Sequence, residues 1–381
     1  MTWSSPESPG EPDEVGFGSA REPRVRWPGS RWPGGRGPGS RWARWPLILA
    51  GAAVIAVAAV LTLGRHPVKL SSAQSQVTVT QTGHRLLGVR GGWELVGYGP
   101  NRAVRVQLAR GRVTQTLVPS IGSTGPVSFV TGPAQMIIRP LDVVPGYLVP
   151  DGKPARPLRG ALSHGGWVIP GPRPDEAWLQ DSPQSLALVR LDGSKTGVSI
   201  RLPPGEWWLA TPNGRGNVLL SGVGEIFDVW PGGSRYVGGI LAAVGPTRWL
   251  TVNCYRPRPC VDVVTDPATG AHRDLRGPAV RSIAPGVIAP DGTRAAIYRV
   301  APGGQVALHL LDLATGTDRQ VAVRLDPNAV GPGTLVWSPD SRWLFVITAH
   351  GGLAAVNAGT RQAVGLGVRL PWLSHIATRP G

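Results

Sequence analysis

The sequence predicts an all-β domain built of repeated four-stranded units, preceded by a disordered tail and one transmembrane helix. Three observations carry this. Short apolar runs rich in Val, Ile and Leu recur from residue 86 to the C-terminus, bounded by Gly, Pro, Asp and Asn, the composition of strands and tight turns. Two of the turns repeat together with the strand that follows: Ala289-Pro290-Asp291-Gly292 leads into RAAIYRV, and Ser338-Pro339-Asp340 leads into RWLFVIT. Ahead of all this stands an uncharged run at residues 47–63, LILAGAAVIAVAAVLTL.

Residues 1–45 are expected to form a disordered cytoplasmic tail rich in Arg, Trp, Pro and Gly. The first twenty hold too few apolar side chains for a core. Residues 21–45 carry seven arginines and one glutamate in a loose repeat, RWPGS, RWPGG and RWARWP. Cations beside indoles just before an apolar run suit the headgroups of a lipid bilayer; nucleic acid is the weaker expectation.

Residues 46–64 are expected to span the membrane. The uncharged core covers roughly 26 Å as a helix, a little short of a hydrocarbon layer of about 30 Å. Trp42, Trp45, Arg65, His66 and Lys69 extend it at the two interfaces. Arg31, Arg36, Arg41 and Arg44 precede the helix, against Arg65 and Lys69 after it. The positive-inside rule therefore puts the tail in the cytoplasm and the C-terminal domain outside, as a single-pass signal anchor of the cell membrane. The following LTLGRHPVKL offers no small-residue cleavage site, which argues against a removed leader.

Residues 65–85 read as a linker with one alternating run, QVTVTQ at 76–81, and residues 86–381 as the exported domain. A well-patterned unit reads strand, Pro-Asp-Gly turn, strand, loop, strand, Asp-x-x-Thr-Gly turn, strand. Thr211-Pro212-Asn213-Gly214 leads into NVLLSGV and EIFDVW in that order, and Asp266-Pro267-Ala268-Thr269-Gly270 matches Asp312-Leu313-Ala314-Thr315-Gly316. Units starting near residues 86, 126, 165, 206, 240, 283 and 333 have the length of a four-stranded propeller blade. The expected fold is a β-propeller of about seven blades. The run WLSHIAT at 372–378 is the candidate to complete the first blade and close the ring, with QVTVTQ as the alternative.

The pattern resembles the WD40-like repeats of TolB-type propellers, in which W-S-P-D-G-x-x-L-x-F introduces a blade's second strand. Trp337-Ser338-Pro339-Asp340-Ser341-Arg342-Trp343-Leu344 is the fullest copy, departing in Ser341 for the glycine and Val346 for the phenylalanine. The likeness covers roughly residues 280–370 and thins towards residue 85. It implies the ring and no particular partner, since TolB carries an α/β domain where this chain has its tail and apolar run.

Composition narrows the chemistry. The formal charge is +16, of which the seven arginines and five acids of the tail supply only +2. A basic exported surface should attract lipid headgroups, wall polymers or acidic proteins. The histidines, at 66, 84, 164, 272, 309, 350 and 375, show no HExxH and no short paired spacing, so neither a metal nor a cofactor is expected. Ala161-Leu162-Ser163-His164-Gly165 lacks the strand-turn-helix setting of a nucleophile elbow. Asp175 and Glu176 are adjacent, but neighbours on a strand point to opposite faces, so no catalytic residue is named. Cys254 and Cys260, in NCYRPRPC, lack further metal ligands nearby. They fit a local disulfide joining two hairpin strands in an oxidising compartment. Trp207, Trp208, Trp249, Trp337 and Trp343 read as packing between blades rather than a sugar platform.

The expected function is a non-catalytic binding or scaffold module of the cell envelope, its partners the bilayer and an envelope protein or anionic polymer. A transmembrane sensor reporting to the tail and a glycan hydrolase or lyase are the alternatives. The longest irregular stretches, at 141–159, 171–184 and 255–259, carry Arg156, Arg159, Arg173, Arg256 and Arg258. These are expected to bind the partner from loops on a face of the ring.

Overall fold

The computed structural model describes residues 76–381 apart from 120–126, 142–145, 165, 206, 208, 223–224, 255–258, 278, 280–281, 301–303, 326–329 and 332. The tail, the expected transmembrane helix and the first half of the linker lie outside the described residues. Among the described residues no helix is long and apolar enough to cross a membrane.

The first sheet takes β1 (Val77–Gln81), β2 (Trp93–Tyr98), β3 (Arg102–Gln107) and β4 (Arg112–Leu117). Three antiparallel meanders follow. The second sheet is β5 (Val127–Gly132), β6 (Gln135–Pro140), β7 (Tyr147–Pro150) and β8 (Arg156–Pro157); the third is β9 (Val168–Pro170), β10 (Glu176–Ser182), β11 (Ser185–Arg190) and β12 (Lys195–Arg201). The fourth is β13 (Leu209–Pro212), β14 (Val218–Ser221), β15 (Ile226–Trp230) and β16 (Gly233–Tyr236).

Two more meanders share one sheet. They are β17 (Ile240–Val244), β18 (Trp249–Asn253), β19 (Val261–Thr265) and β20 (His272–Asp274), then β21 (Gly286–Ile288), β22 (Arg294–Val300), β23 (Val306–Asp312) and β24 (Asp318–Val321). The last sheet is β25 (Leu335–Trp337), β26 (Trp343–Ile347), β27 (Leu353–Asn357) and β28 (Ala363–Gly365), after which β29 (His375–Pro380) returns to the first sheet.

The expected turns sit between the expected strands. Ala289-Pro290-Asp291-Gly292 joins β21 to β22, and Asp312-Leu313-Ala314-Thr315-Gly316 joins β23 to β24. Asp291 Oδ1 accepts the Thr293 N–H at 3.0 Å and so caps its own turn. Ser341, standing where the TolB-type motif has glycine, adopts a left-handed φ of 57°. Its hydroxyl accepts the Asp291 N–H at 3.1 Å, a contact between neighbouring meanders that glycine would lack.

The core lies between successive sheets rather than at one centre. Trp178 and Leu188 of the third sheet pack with Leu220 and Val229 of the fourth, and Leu95 and Val104 of the first with Phe345 and Ala355 of the last. Buried indoles also donate across these junctions: Trp178 to the Gly216 carbonyl (2.8 Å), Trp249 to that of Asn213 (3.1 Å) and Trp337 to that of Val287 (3.1 Å). The inner-edge strands neighbour one another: β29 lies beside β5, β5 beside β9, β9 beside β13, and β21 and β25 link β17 to β29. Meanders succeeding one another in this way make a β-propeller.

The seven separate units expected from the sequence appear as six hydrogen-bonded sheets. β17 and β21 pair in parallel through Ala243↔Gly286 and Val244↔Val287, fusing two four-strand meanders into one eight-stranded sheet. Both runs proposed for closure join the first sheet, at opposite edges. β29 pairs with β2 from Trp93↔Pro380 to Tyr98↔His375, whereas β1 pairs with β4 on the outer edge.

Candidate functional site

An antiparallel meander sends its first and third turns from the same edge. In three places the third turn of one meander stands beside the outermost strand of the meander before it, and a groove opens between them. The first, about 190 Å³, lies between β8 and the β11–β12 turn, with Arg156, Arg159 and Asp192 over Leu148 and Leu162. The second, about 260 Å³, lies between β16 and the β19–β20 turn, with Arg235, Tyr236, Trp249, Asn253 and His272. The third, about 240 Å³, lies between β24 and the β27–β28 turn, with Arg294, Arg319 and Arg361 around Asp312, Thr315 and Thr317.

The turns bordering the second and third grooves are built alike. Asp312 Oδ1 accepts the N–H groups of Ala314 (2.9 Å) and Thr315 (2.8 Å), and Asp266 Oδ1 those of Ala268 (2.8 Å) and Thr269 (3.3 Å). Asn357 Oδ1 likewise accepts those of Gly359 and Thr360, both at 3.0 Å. Each turn then needs one left-handed residue, whose N–H returns to the carbonyl of the first. Gly316 (φ 75°) and Gly270 (φ 74°) fill that position, but in the last turn it is Arg361, at φ 63°. A side chain in this conformation costs about 1–2 kcal/mol. The strain stands an arginine at the third groove.

The grooves differ in charge. Arg319 and Arg361 are exposed and form no salt bridge among the described residues. Arg294 Nη1 is committed to the Ala358 carbonyl at 3.0 Å. Partial burial works against the charge on Asp312, but the Thr315 N–H and hydroxyl, the Ala314 N–H and the Arg294 charge outweigh it and hold the carboxyl below its usual range. In the second groove Arg235 is already paired, with Asp228 at 3.2 Å, and its guanidinium carbon lies 6.0 Å from the Trp249 ring centroid. In the first, the Ser194 N–H and hydroxyl keep Asp192 ionised below the usual carboxylate range. That charge faces the exposed Arg156 and Arg159.

No family model matches the chain, and no curated protein matches it. Solved structures are similar. Apo AztD from Citrobacter koseri is 14% identical, with a TM-score of 0.43 and coverage of 75% of this chain and 98% of its own. TolB from Acinetobacter baumannii is 13% identical, with a TM-score of 0.42, over 76% of this chain and 66% of its own. An oligogalacturonate lyase in complex with manganese is 14% identical, with a TM-score of 0.49, over 75% and 92%. The fold is a β-propeller. The strand topology above establishes it.

In this propeller the arginines singled out from the sequence are dispersed. Arg156 and Arg159 come together in the first groove, Arg156 on strand β8 rather than in a loop. Arg173 stands apart in the β9–β10 turn, 3.5 Å from the Glu176 carboxylate. Arg256 and Arg258 lie outside the described residues. The disulfide between Cys254 and Cys260 is formed, bridging the ends of β18 and β19 where Asn253 pairs with Val261. Arg235, Arg319 and Arg361 were not singled out by sequence reasoning. The signal for Arg361 was present, since Asn357-Ala358-Gly359-Thr360-Arg361 copies the Asp-x-x-Thr-Gly turn with arginine in the glycine position.

Ser163 sits in a 3₁₀ turn at Gly160–Ser163, donating to the Gly160 carbonyl at 2.7 Å. Among the described residues no three His, Cys, Asp or Glu side chains gather as a metal site. Of the tryptophans read as packing, Trp249 and Trp337 are buried, Trp343 packs against the first sheet's core and Trp207 against the fourth sheet's. Trp208 lies outside the described residues.

Proposed function

We propose that this chain is a membrane-anchored envelope protein whose exported propeller binds an anionic polymer through its arginine-lined grooves, without chemistry of its own. The observation that carries the reading is Arg361, an exposed arginine in a left-handed position that equivalent turns give to glycine. Strain kept at one turn and relieved at its counterparts points to a use for the side chain. Arg319 beside it and the Arg156–Arg159 pair at another junction extend the same chemistry around the perimeter.

The uncharged run before the domain and the arginine excess ahead of it support the anchored, exported orientation. The Cys254–Cys260 disulfide suits an oxidising compartment. Each exposed cation contributes at most about 1 kcal/mol, so a polymer gains by engaging several grooves at once. On an immobilised polyphosphate matrix the full chain should be held at low ionic strength and released as salt rises. Passage without retention at low salt would overturn the reading.

A further inference from the structure

We infer that the edge of the propeller from which the second turns leave docks on the surface of a lipid bilayer, with Trp372 seated at the interface. This rests on the anchored reading above and assigns the face of the domain that meets the lipid. Counting β29 as its first strand, the first sheet has β2–β3 as its second turn, and the described chain begins beside that turn. The Gln76 carbonyl accepts the Leu117 N–H at 2.7 Å, and Val118 next to it donates to the Asn101 carbonyl at 2.9 Å. Residues 64–75, between the uncharged run and Gln76, span at most about 45 Å when extended. A chain held in a bilayer by residues 46–64 therefore reaches the domain at this edge.

The same edge carries exposed apolar side chains that the opposite edge lacks. Ile240 starts β17, Ile283 precedes β21, Val300 ends β22 and Trp372 precedes β29, and all four are exposed there. Among the described residues no exposed large hydrophobic side chain lies in a first or third turn, and the others sit on outermost strands. Trp372 is 58% exposed, yet it is held from two sides. Its indole lies over Gly351 in the β26–β27 turn and its carbonyl against Gly99 in the β2–β3 turn, and a Cβ on either glycine would collide with it. The Leu373 N–H fixes the approach by donating to the Gly351 carbonyl at 2.9 Å. An indole already held still loses little freedom on entering a bilayer interface, where its apolar ring and its N–H are both accommodated.

Charge points the same way. Arg369 lies three residues before Trp372, and Arg324 reaches the β26–β27 turn, where its carbonyl accepts the Ala349 N–H at 3.0 Å. Both are exposed and form no salt bridge among the described residues. Asp326, the acid nearest Arg324 in sequence, lies outside the described residues. Cations around an exposed indole suit anionic headgroups. Ile240, Ile283 and Val300 stand on a different sheet from Trp372, so the apolar points are spread over the edge rather than gathered in a groove. That spread fits a flat partner better than a peptide. The third turns bordering the three grooves leave from the opposite edge and stay open to the polymer.

The test reconstitutes the full chain in vesicles of phosphatidylcholine and phosphatidylglycerol. Photoreactive p-benzoylphenylalanine replaces Trp372, Val300 or, as a control on an outermost strand, Val198, and mass spectrometry identifies the adducts. Lipid adducts should form at 372 and 300 and not at 198. Arg324→Ser together with Arg369→Ser should lower the adduct at 372 severalfold, since each cation near an anionic surface contributes about 1 kcal/mol. Melting curves establish that each variant is folded. Alkaline extraction separates the two readings. A chain that stays in the vesicles but gives no lipid adduct at 372 or 300 would overturn the docking and leave the anchor. A chain extracted from them that had given those adducts would overturn the anchor and leave the docking. Equal adducts at 198 would show that the domain meets lipid without a preferred face, and adducts to a second copy in place of lipid would show that this edge joins two chains; either overturns the inference.

Discussion

Arg379 and Asp151 meet through two hydrogen bonds, 2.7 and 2.6 Å, from one guanidinium nitrogen to both carboxylate oxygens. The same nitrogen lies 3.1 Å from Glu94, and another reaches the Gly132 carbonyl at 3.0 Å. Arg379 belongs to the closing strand β29, Glu94 to its partner β2, Gly132 to the end of β5 and Asp151 to the turn after β7 of the second sheet. One side chain thus fastens the C-terminal strand to two sheets. Burial pushes the Glu94 carboxyl up, but bonds from Arg105, Gln107 and Arg379 and the Arg105 charge outweigh it and hold it below its usual range.

Arg379→Ala should therefore destabilise the propeller by about 1–3 kcal/mol, the cost of lost buried hydrogen bonds at Asp151 and the Gly132 carbonyl, while Arg105 stays paired with Glu94 and Asp151. Denaturant unfolding of the full chain measures this. A loss under about 1 kcal/mol would mean that closure rests on the β2–β29 ladder alone.

Stability should also depend on pH through His375. Burial drives its pKa from 6.5 down to about 4, so between those values the unfolded chain binds more protons than the folded one. The stability is present above about pH 6.5 and is lost as pH falls towards 4, by up to about 3 kcal/mol. His309, lowered by burial and by the Arg299 charge, adds in the same direction. Melting temperatures between pH 5 and 7 should flatten in His375→Gln; an unchanged slope would assign the dependence elsewhere.

The disulfide closes a short loop, so its reduction should cost roughly 2 kcal/mol and leave the sheets paired. Mass spectrometry of non-reduced peptides should find Cys254 and Cys260 joined. Two alkylatable thiols in protein taken from its native host without reductant would contradict this.

Strand order was readable wherever the turn chemistry is local. Asp291 and Gly292 fix one turn and Asp312 and Gly316 another, each within a few residues, and the HIAT half of the expected WLSHIAT run lies in the closing strand. The parallel pairing of β17 with β21 was not readable, because it joins backbones that are distant in sequence. Its trace is Gly245, where a Cβ would meet the Ile288 side chain at 2.7 Å. The grooves escaped for the same reason: Arg235 and Arg319 sit on an outer strand of one meander while the opposite wall belongs to the next. Arg173 carried the right charge in a loop, but Glu176 three residues on supplies its counter-charge.

The grooves' role in binding a polyanion is tested most directly by Arg361→Gly, measured for melting and for salt elution from polyphosphate. Glycine relieves the left-handed strain, offset in part by its own chain entropy, so the variant should be more stable by about 0.5–1 kcal/mol. It should nonetheless elute at lower salt than the parent chain. With Arg319→Ser added, retention should fall roughly tenfold, in keeping with exposed contacts worth at most about 1 kcal/mol each. A variant that melts higher and elutes unchanged would show that the arginine has no part in binding and would contradict the account.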